Sequence, residues 1–329
     1  MDISWPDDSI FEPFNVSEHT YKTVSEHDIK CAILIPKTLK PDVHPVIFNF
    51  HGGFFVTGHS LFAPFFPPSV SPLALENSGI IVSADYRLLP SENGIADILE
   101  DLEDFWQWTK LGLPLILEEI APGHVIDFSK VLVVGGSAGG YCAAQVALSH
   151  PEDISALAII YPCLDVKDKL YLEGPAEGEP TVLRYPLDQM PSVPDTLVWI
   201  EEKKKAVVTK DGFESTLFAT SACQNGIFAS HIFDNKNMDL DAFLPLARIK
   251  AGAKLPPKVW LMHGDDDSTV PVRGSHEFAK ILKEKLPETT LRFDMCPGKD
   301  HAFDYDEESW KPLAPAALGF VRDGWLGLE

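Results

Sequence analysis

Short apolar runs alternate along most of the chain with longer segments in which apolar residues recur every three or four positions. The runs have the length of β-strands, and we predict strands over 29–35, 46–50, 79–84, 130–134, 156–161, 258–263 and 291–295. The longer segments have the period of amphipathic helices, predicted over 95–111, 275–286 and 312–325. Strands that alternate with helices predict an α/β fold, with a mostly parallel central sheet flanked by helices.

The alternation fails between residues 166 and 254, where proline, glycine and charged residues interrupt weak helical patterns. This block lies between two predicted strands, so it would leave the sheet at its carboxyl edge, where ligands bind in open α/β folds. We therefore predict a core in two parts, residues 1–165 and 255–329, with residues 166–254 as an inserted helical cap. A merely decorative insertion is the alternative.

Composition and charge argue against several classes of partner. The chain has 329 residues and a formal net charge of −22 at pH 7, which would repel nucleic acid and anionic membrane surfaces. No stretch approaches the ~20 apolar residues of a membrane span, and the acidic start does not resemble a secretory signal. Five scattered cysteines form neither a disulfide framework nor a metal-ligand spacing. We expect a cytoplasmic protein without a metal; the oligomeric state stays open.

The most informative motif lies at residues 131–140, VLVVGGSAGG. A β-branched run ends abruptly in glycines around Ser137 and continues into a helix of small residues. This pattern is typical of a nucleophile elbow, a tight strand-to-helix turn that only small neighbours tolerate and that exposes the serine hydroxyl. A nucleotide-binding turn is the alternative, but it would require G-x-G-x-x-G or a lysine after the last glycine, and the chain has neither.

A serine nucleophile needs a base, and the base needs an orienting carboxylate. Downstream of Ser137, a predicted strand is followed directly by Asp265, Asp266 and Asp267 on one loop. Three adjacent carboxylates would raise one another's pKa values, so most of them should point to solvent while one is held by the base. Chemistry alone does not select among the three.

The candidate base is His301, which lies on a glycine-containing loop after the last predicted strand. His263 ends a strand, where a structural role beside the acid loop is expected, and His276 falls within a predicted helix. The acidic residues that flank His301 are expected to be solvated; they are Asp294, Asp304 and Asp306.

Acyl transfer also requires donors for the developing oxyanion. The predicted strand 46–50 runs into Gly52 and Gly53, whose backbone N–H groups could approach a substrate closely. An aromatic cluster, Phe62, Phe65 and Phe66, follows this loop. The cluster could line an apolar substrate site or belong to the core, and both interpretations stay open.

Five segments together give the chain a specific resemblance. The segments are HGGFFVTG at 51–58, DYRLLP at 85–90, GGSAGG at 135–140, HGDDD at 263–267 and GKDHAF at 298–303. They resemble the hormone-sensitive-lipase group of α/β-hydrolases, the fold-3 carboxylesterases. The resemblance covers the chain from about Pro45 to Phe303, apart from the predicted cap.

The resemblance implies roles for particular residues. It makes Asp267 the acid of a Ser137, Asp267 and His301 triad, and it makes the N–H groups of Gly53, Phe54 and Ala138 the oxyanion donors. Phe54 stands where the family usually has a third glycine, so its ring would narrow the acyl pocket. Gly136 precedes the nucleophile where an acidic residue is common.

The same resemblance implies a structural role for the Asp85 to Arg87 segment, which would form an ion pair that holds the loop after a strand. Phe54 and Phe55 lie just before the aromatic cluster and are our candidates for substrate contact.

We therefore predict a serine hydrolase that cleaves a carboxylic ester of a small, largely apolar molecule, without a cofactor. The alternatives keep the fold: a lactone or amide hydrolase, an enzyme of natural-product metabolism that transfers an acyl group within one molecule, or a ligand receptor without catalysis. The expected partner is an ester or lactone of small size.

Overall fold

The computed structural model describes residues 5–233 and 240–328, and its strands form one eight-stranded sheet. Along the chain the strands are β1 Phe14–Val24, β2 His27–Pro36, β3 Val43–Phe50, β4 Ile80–Ala84, β5 Val125–Gly136, β6 Ala156–Ile160, β7 Lys258–Gly264 and β8 Thr290–Cys296. Across the sheet their order is β1, β2, β4, β3, β5, β6, β7, β8.

The sheet is mostly parallel, as the sequence predicts. Strand β2 runs antiparallel to both β1 and β4, and every other neighbouring pair is parallel. All seven predicted strands are present, with shifted ends. The sequence pattern missed β1 because it is an edge strand in which exposed and half-buried residues alternate, so it lacks a continuous apolar run.

The described helices are α1 Val70–Glu76, α2 Ile95–Leu111, α3 Leu113–Ile120, α4 Ala138–Ser149, α5 Lys169–Glu173, α6 Val193–Lys203, α7 Thr216–Gln224, α8 Pro245–Lys250, α9 Arg273–Lys285, α10 Glu307–Trp310 and α11 Ala314–Leu326. The three predicted helices correspond to α2, α9 and α11, whose ends lie within two residues of those expected. In the described ranges, none of the helices combines the length and apolarity needed to cross a bilayer.

Helices cover both faces of the sheet, and alternate residues of each strand point to opposite faces. Phe48 of β3 packs with Phe105 of α2, their ring centroids 5.6 Å apart, in the same apolar cluster as Tyr141 of α4. The preceding residue, Ile47, lies in the other cluster with Trp325 of α11. The central strands are therefore buried on both sides, which explains their continuous apolar runs.

The irregular segment lies between β6 and β7, at the position predicted for the insertion, and its described parts contain α5 to α8. The hydroxyl of Tyr141 in α4 donates to the carbonyl of Phe243 at 2.7 Å. On the other side, the N–H of Gly58 donates to the carbonyl of Asp211, also at 2.7 Å. These contacts hold the segment against α4 and against the loop after β3.

Candidate active site

Ser137 occupies a strained turn between β5 and α4. Its backbone angles are φ 56° and ψ −120°, a conformation that L-residues rarely adopt. The neighbouring glycines make this turn possible, since a Cβ on Gly135 would lie 2.1 Å from the carbonyl oxygen of Gly139. A Cβ on Gly139 would lie 2.1 Å from the oxygen of Phe50. At these two points, α4 is in direct backbone contact with β5 and with the end of β3.

The structure brings the three predicted triad residues together. The Ser137 hydroxyl lies 3.1 Å from Nε2 of His301, and Nδ1 of His301 lies 2.8 Å from Oδ2 of Asp267. The side chain of Asp267 is fully buried, and its Oδ1 accepts from the backbone N–H groups of Thr269 and Val270, each at 2.8 Å. These bonds fix the carboxylate so that one oxygen faces the imidazole.

Burial and charge act in opposite directions on this pair. Burial disfavours the charged form of Asp267, but the neighbouring His301 and a hydrogen bond from His263 outweigh it and hold the pKa of Asp267 well below its usual range. Burial likewise opposes a charged His301, whereas the charge of Asp267 and its hydrogen bond raise the pKa of His301 above 6.5. Asp267 is therefore ionised at neutral pH, and its charge favours the protonated form of His301.

Asp265, Asp266 and His263 do not contact Ser137 or His301 in the way that a triad requires. Asp265 is exposed and accepts from the N–H of Gly298 at 2.6 Å, and the exposed Asp266 pairs with Arg184. His263 is buried with its Nε2 3.2 Å from Asp267, and its Nδ1 accepts from a serine hydroxyl. His263 thus supports the acid loop, as the sequence suggested.

The loop after β3 runs beside the serine. A Cβ on Gly52 would lie 3.5 Å from the Cβ of Ser137, so this backbone is in direct contact with the turn. The carbonyl of Gly53 accepts from the N–H groups of Val56 and Thr57, which folds residues 53–57 into a tight turn. Gly53 and Phe54 both have positive φ, 102° and 54°.

This turn leaves donors free beside the serine. The hydrogen bonds found among residues 5–233 and 240–328 do not use the N–H of Gly53 or Phe54. Ala138 is the first residue of α4, where an N–H has no acceptor within the helix. Its N–H therefore joins the two loop N–H groups as a candidate donor to an anion, and the start of the helix favours negative charge.

His51 shapes the same loop, a role that the sequence did not predict. Its ring stacks on Tyr86 at 4.3 Å, and its Nδ1–H donates to the carbonyl of Gly52 at 2.8 Å. Burial lowers the pKa of His51 to about 3, so it is neutral at physiological pH. In the sequence, the position of this histidine directly before Gly52 and Gly53 could have indicated its role in shaping the loop.

The DYR segment makes hydrogen bonds and ion pairs with neighbouring elements, but its Asp85 and Arg87 do not form an ion pair with each other. Asp85 accepts from the N–H of Ser60 at 2.6 Å, which ties it to the loop after β3. Arg87 is buried and pairs with Asp97 and Asp101, each at 2.8 Å. The two residues do not pair with each other, because each is already bound to a different element.

Ser137 lies in the wall of a mostly apolar cavity. The described lining residues are Trp5, Gly52, Gly53, Phe54, Phe65, Gly136, Ser137, Tyr161, Leu183, Phe213, Thr216, His301, Ala302 and Tyr305. They include no lysine, arginine, aspartate or glutamate. The cavity therefore suits uncharged groups. Its aromatic residues come from distant parts of the chain, which no local sequence pattern could connect.

Two predictions about aromatic residues need correction. Phe55 is not a lining residue: it is buried in the core, and its ring packs against Tyr141 at 5.2 Å. The aromatic cluster divides between the two interpretations, because Phe65 lines the cavity whereas Phe66 is core. In both pairs of adjacent phenylalanines, Phe54 with Phe55 and Phe65 with Phe66, one residue lines the cavity and the other is in the core, and only the fold decides which.

The expectation that the acids around His301 are solvated is wrong for Asp304. This carboxyl is buried, its Oδ1 accepts from the Tyr161 hydroxyl at 2.6 Å, and burial raises its pKa to about 6. Asp294 is half-buried and accepts from the indole N–H of Trp260. Asp306 is exposed, as expected.

Across the ranges that the structure describes, no cluster of three or more His, Cys, Asp or Glu side chains is arranged to hold a metal ion. The five cysteines are buried and unpaired.

Comparisons with known proteins identify the class and then the group. A family model described as alpha/beta hydrolase fold matches residues 47–190. A probable carboxylesterase M8 from a Phoma species is 32% identical over 321 residues, covering 94% of this chain and 96% of that protein. The chain therefore belongs to the α/β-hydrolases. Within them it falls in the hormone-sensitive-lipase group of fold-3 carboxylesterases, so it is a hydrolase of the carboxylesterase type.

Two further similarities are informative. The crystal structure of an alpha/beta hydrolase superfamily protein from Enterococcus faecalis superposes with a TM-score of 0.64 at 20% identity, covering 94% of this chain and 98% of that one, which supports the fold. The non-reducing polyketide synthase atr1 from Stereocaulon alpinum is 25% identical over 353 residues, which cover 96% of this chain but 13% of the synthase. The chain thus resembles one part of a much longer protein.

Proposed function

We propose that the chain hydrolyses a carboxylic ester of a small, largely apolar molecule through an acyl-enzyme on Ser137. The observation that carries this proposal is the hydrogen-bonded chain from Ser137 through His301 to the buried Asp267, with contacts of 3.1 and 2.8 Å. A serine hydroxyl is a weak nucleophile at neutral pH, and a base that is itself oriented by a carboxylate removes that limitation.

In the first step, Oγ of Ser137 attacks the ester carbonyl carbon while Nε2 of His301 takes its proton. Asp267 stabilises the imidazolium that forms. The imidazolium then protonates the leaving alkoxide, the alcohol departs, and the acyl group remains on Ser137. In the second step, His301 deprotonates a water molecule that attacks the acyl carbon, releasing the carboxylic acid and restoring the serine.

The negative charge that develops on the carbonyl oxygen needs fixed donors. The N–H groups of Gly53, Phe54 and Ala138 are our candidates, with Gly52 holding the loop close to the serine. A single such donor contributes roughly 3 to 4 kcal/mol of transition-state stabilisation. Because the donors belong to a hydrogen-bonded turn and a helix start, they need little reorganisation during the reaction.

The insertion serves, in this proposal, as a cap that closes the site and selects the substrate. Three of its residues, Leu183, Phe213 and Thr216, line the cavity with Ser137. Arg184 adds a link to the core through Asp266 at 2.6 Å and Asp300 at 2.7 Å. Because these aspartates flank the acid and the base, the cap also contacts the loops that carry the triad.

Active-site labelling tests the proposal. We expect a fluorophosphonate to label the wild-type protein and short p-nitrophenyl esters to be hydrolysed, and both activities to disappear in Ser137→Ala. Ser129→Ala, an exposed serine in the same strand, is the matched control and should behave as wild type. A wild-type protein that neither labels nor hydrolyses these esters would rule out the mechanism.

A second candidate is acyl transfer within one molecule, in which a hydroxyl of the acyl group replaces water and a lactone is released. The similarity to a polyketide synthase and the apolar cavity favour it. Product analysis on a hydroxyl-bearing ester discriminates: free acid indicates hydrolysis, whereas lactone indicates acyl transfer. Hydrolysis of a lactone or an amide is tested by supplying a candidate lactone or amide as the substrate and measuring the acid released.

We also propose a cytoplasmic location and a small-molecule partner rather than nucleic acid. The buried, unpaired cysteines and the net charge of −22 support these two assignments.

A further inference from the structure

A further carboxylate, that of Asp300, lies between the loop of the proposed acid and the loop of the proposed base. Its Oδ1 accepts from the backbone N–H of Ser268 at 2.8 Å, and Ser268 directly follows Asp267 in the chain. The same oxygen accepts from the backbone N–H of His301 at 2.7 Å. A single oxygen atom therefore joins the backbone beside the acid to the backbone of the base.

The other oxygen of this carboxylate is bound as well. Oδ2 of Asp300 accepts from Nε of Arg184, which belongs to the insertion, at 2.7 Å, and from the Ser268 hydroxyl at 3.2 Å. The same arginine pairs with Asp266 on the acid loop at 2.6 Å. The Asp300 side chain is 17% exposed, so little water competes for these bonds. Because both oxygens are bound, the carboxylate is fixed in one orientation.

The sheet alone does not set the distance between the acid and the base. Pairing of β7 with β8 ends at Gly264 and Cys296, and both loops continue beyond that point. The N–H of Asp266 bonds to the carbonyl of Lys299 at 3.1 Å and joins the loops near the sheet. The bonds of Asp300 lie further along the chain, at the base itself and at the residue after the acid.

We propose that Asp300 is a positioning residue that holds the acid loop and the base loop at the separation the triad requires. This inference rests on the proposed mechanism, in which His301 must contact Ser137 and Asp267 at the same time. A displacement of about 1 Å in a reacting group can lower a rate roughly 100-fold. Asp300 is not among the described residues that line the cavity, so it acts through the backbone of the two loops.

Two substitutions test the hydrogen bonds of Asp300 separately from its charge. Asp300→Ala removes both acceptors, whereas Asp300→Asn keeps an oxygen that can accept both N–H groups. With p-nitrophenyl acetate, we expect Asp300→Ala to lower kcat about 10- to 100-fold. KM should change less than about 3-fold, because His301 acts in both steps of the reaction and both slow together. Asp300→Asn should bring kcat back to within roughly 5-fold of wild type, because it loses little more than the ion pair with the exposed Arg184.

Proton NMR tests the positioning without a substrate. The Nδ1–H of a histidine that is bonded to a carboxylate resonates far downfield of the backbone amide protons, and His301→Gln, which removes the imidazole, assigns the signal of this pair. We expect the signal in wild type and in Asp300→Asn, and its loss in Asp300→Ala as the 2.8 Å contact between His301 and Asp267 opens. A wild-type protein that hydrolyses no ester would refute the proposed function, whereas this measurement would still test the role of Asp300.

Asp127→Ala is the matched control. Oδ1 of Asp127 accepts from the backbone N–H of Ser129 at 3.0 Å, and its Oδ2 pairs with Lys130 at 3.2 Å. Asp127 thus makes the same kinds of bond as Asp300, but near the start of β5, the strand whose other end leads to Ser137. It should keep the wild-type kcat and the downfield signal.

Near-ultraviolet circular dichroism establishes that each variant is folded. If Asp300→Ala does not fold, Asp300→Ser takes its place, because a serine hydroxyl is too short to bond to both N–H groups. The proposal is overturned if the folded variant keeps the wild-type kcat or the downfield signal, if Asp300→Asn loses as much kcat as that variant, or if Asp127→Ala lowers kcat equally.

Discussion

Replacing Asp267 by asparagine keeps the size of the side chain and removes its charge. The backbone N–H groups of Thr269 and Val270, both 2.8 Å from Oδ1, will hold the amide oxygen in the same place. The amide nitrogen must then take the position of Oδ2. There it would lie 2.8 Å from Nδ1 of His301 and 3.2 Å from Nε2 of His263.

An amide nitrogen donates, so Nδ1 of His301 must accept and the ring proton must move to Nε2. In that tautomer, the imidazole cannot take the proton of Ser137. We expect kcat/KM to fall about 10⁴-fold, which corresponds to about 5.4 kcal/mol of transition-state stabilisation. Residual hydrolysis would come from the oxyanion donors, which the substitution leaves in place.

The assay is hydrolysis of p-nitrophenyl acetate, with the rate of fluorophosphonate labelling as an independent measure of serine reactivity. Asp265→Asn is the matched control: it makes the same chemical change on the same loop, at an exposed carboxylate that does not contact His301. We expect it to retain most of its activity. If Asp267→Asn keeps more than roughly a tenth of the wild-type kcat/KM, the tautomer argument is refuted.

Four further predictions follow from the structure. The charge of Asp267 raises the pKa of His301 above 6.5, and only the neutral imidazole can accept a proton from Ser137. We therefore expect kcat/KM to decline as the pH falls, with an inflection above pH 6.5. An inflection below pH 6.5 would contradict the pairing of His301 with Asp267. Burial raises the pKa of Asp304 from 3.8 to about 6, so its ionisation destabilises the fold as pH rises through this window, by up to about 3 kcal/mol. Thermal unfolding should therefore find Asp304→Asn more stable than wild type at pH 7.5 and similar near pH 4; an equal difference at both pH values would argue against this. Phe54→Gly should raise kcat/KM for longer acyl chains relative to acetyl in a p-nitrophenyl ester series, and an unchanged ranking would place the ring outside the acyl pocket. Gly135→Ala places a Cβ 2.1 Å from a backbone oxygen of α4, so it should lower the free energy of unfolding, measured with denaturant, by about 1–3 kcal/mol. Gly319→Ala is the control and should not destabilise the fold, because no atom lies within 4 Å of its new Cβ. Equal effects of the two substitutions would refute the close-contact argument.

Local patterns were sufficient to predict the elements that carry the candidate triad. The glycines around Ser137 are required because a larger residue at Gly135 or Gly139 would collide with backbone atoms, so the motif directly indicates a close backbone contact. The acid and the base follow strands β7 and β8, and parallel neighbouring strands bring the loops at their carboxyl ends to one edge. Strand β1 was not predicted, because an exposed edge strand does not require a continuous run of apolar residues.

The prediction was wrong where burial depends on distant parts of the chain. Asp304 was expected to be solvated because it is acidic and lies in a polar loop, yet it is buried and accepts from the hydroxyl of Tyr161, the residue after β6. Phe55 was expected at the substrate site because Phe54 is its neighbour, yet it packs into the core. In each case the deciding partner is more than 80 residues away in the sequence.

The sequence by itself determined the fold class, the strand order along the chain and the proposed nucleophile, because turns, apolar periodicity and the Ser137 motif are local properties. Only the tertiary structure decided what surrounds that serine. Trp5, Phe213 and Tyr305 come from the start, the insertion and the end of the chain, and nothing short-range relates them. Their meeting depends on the packing of the whole chain, and it is this packing that sets the shape and charge of the cavity.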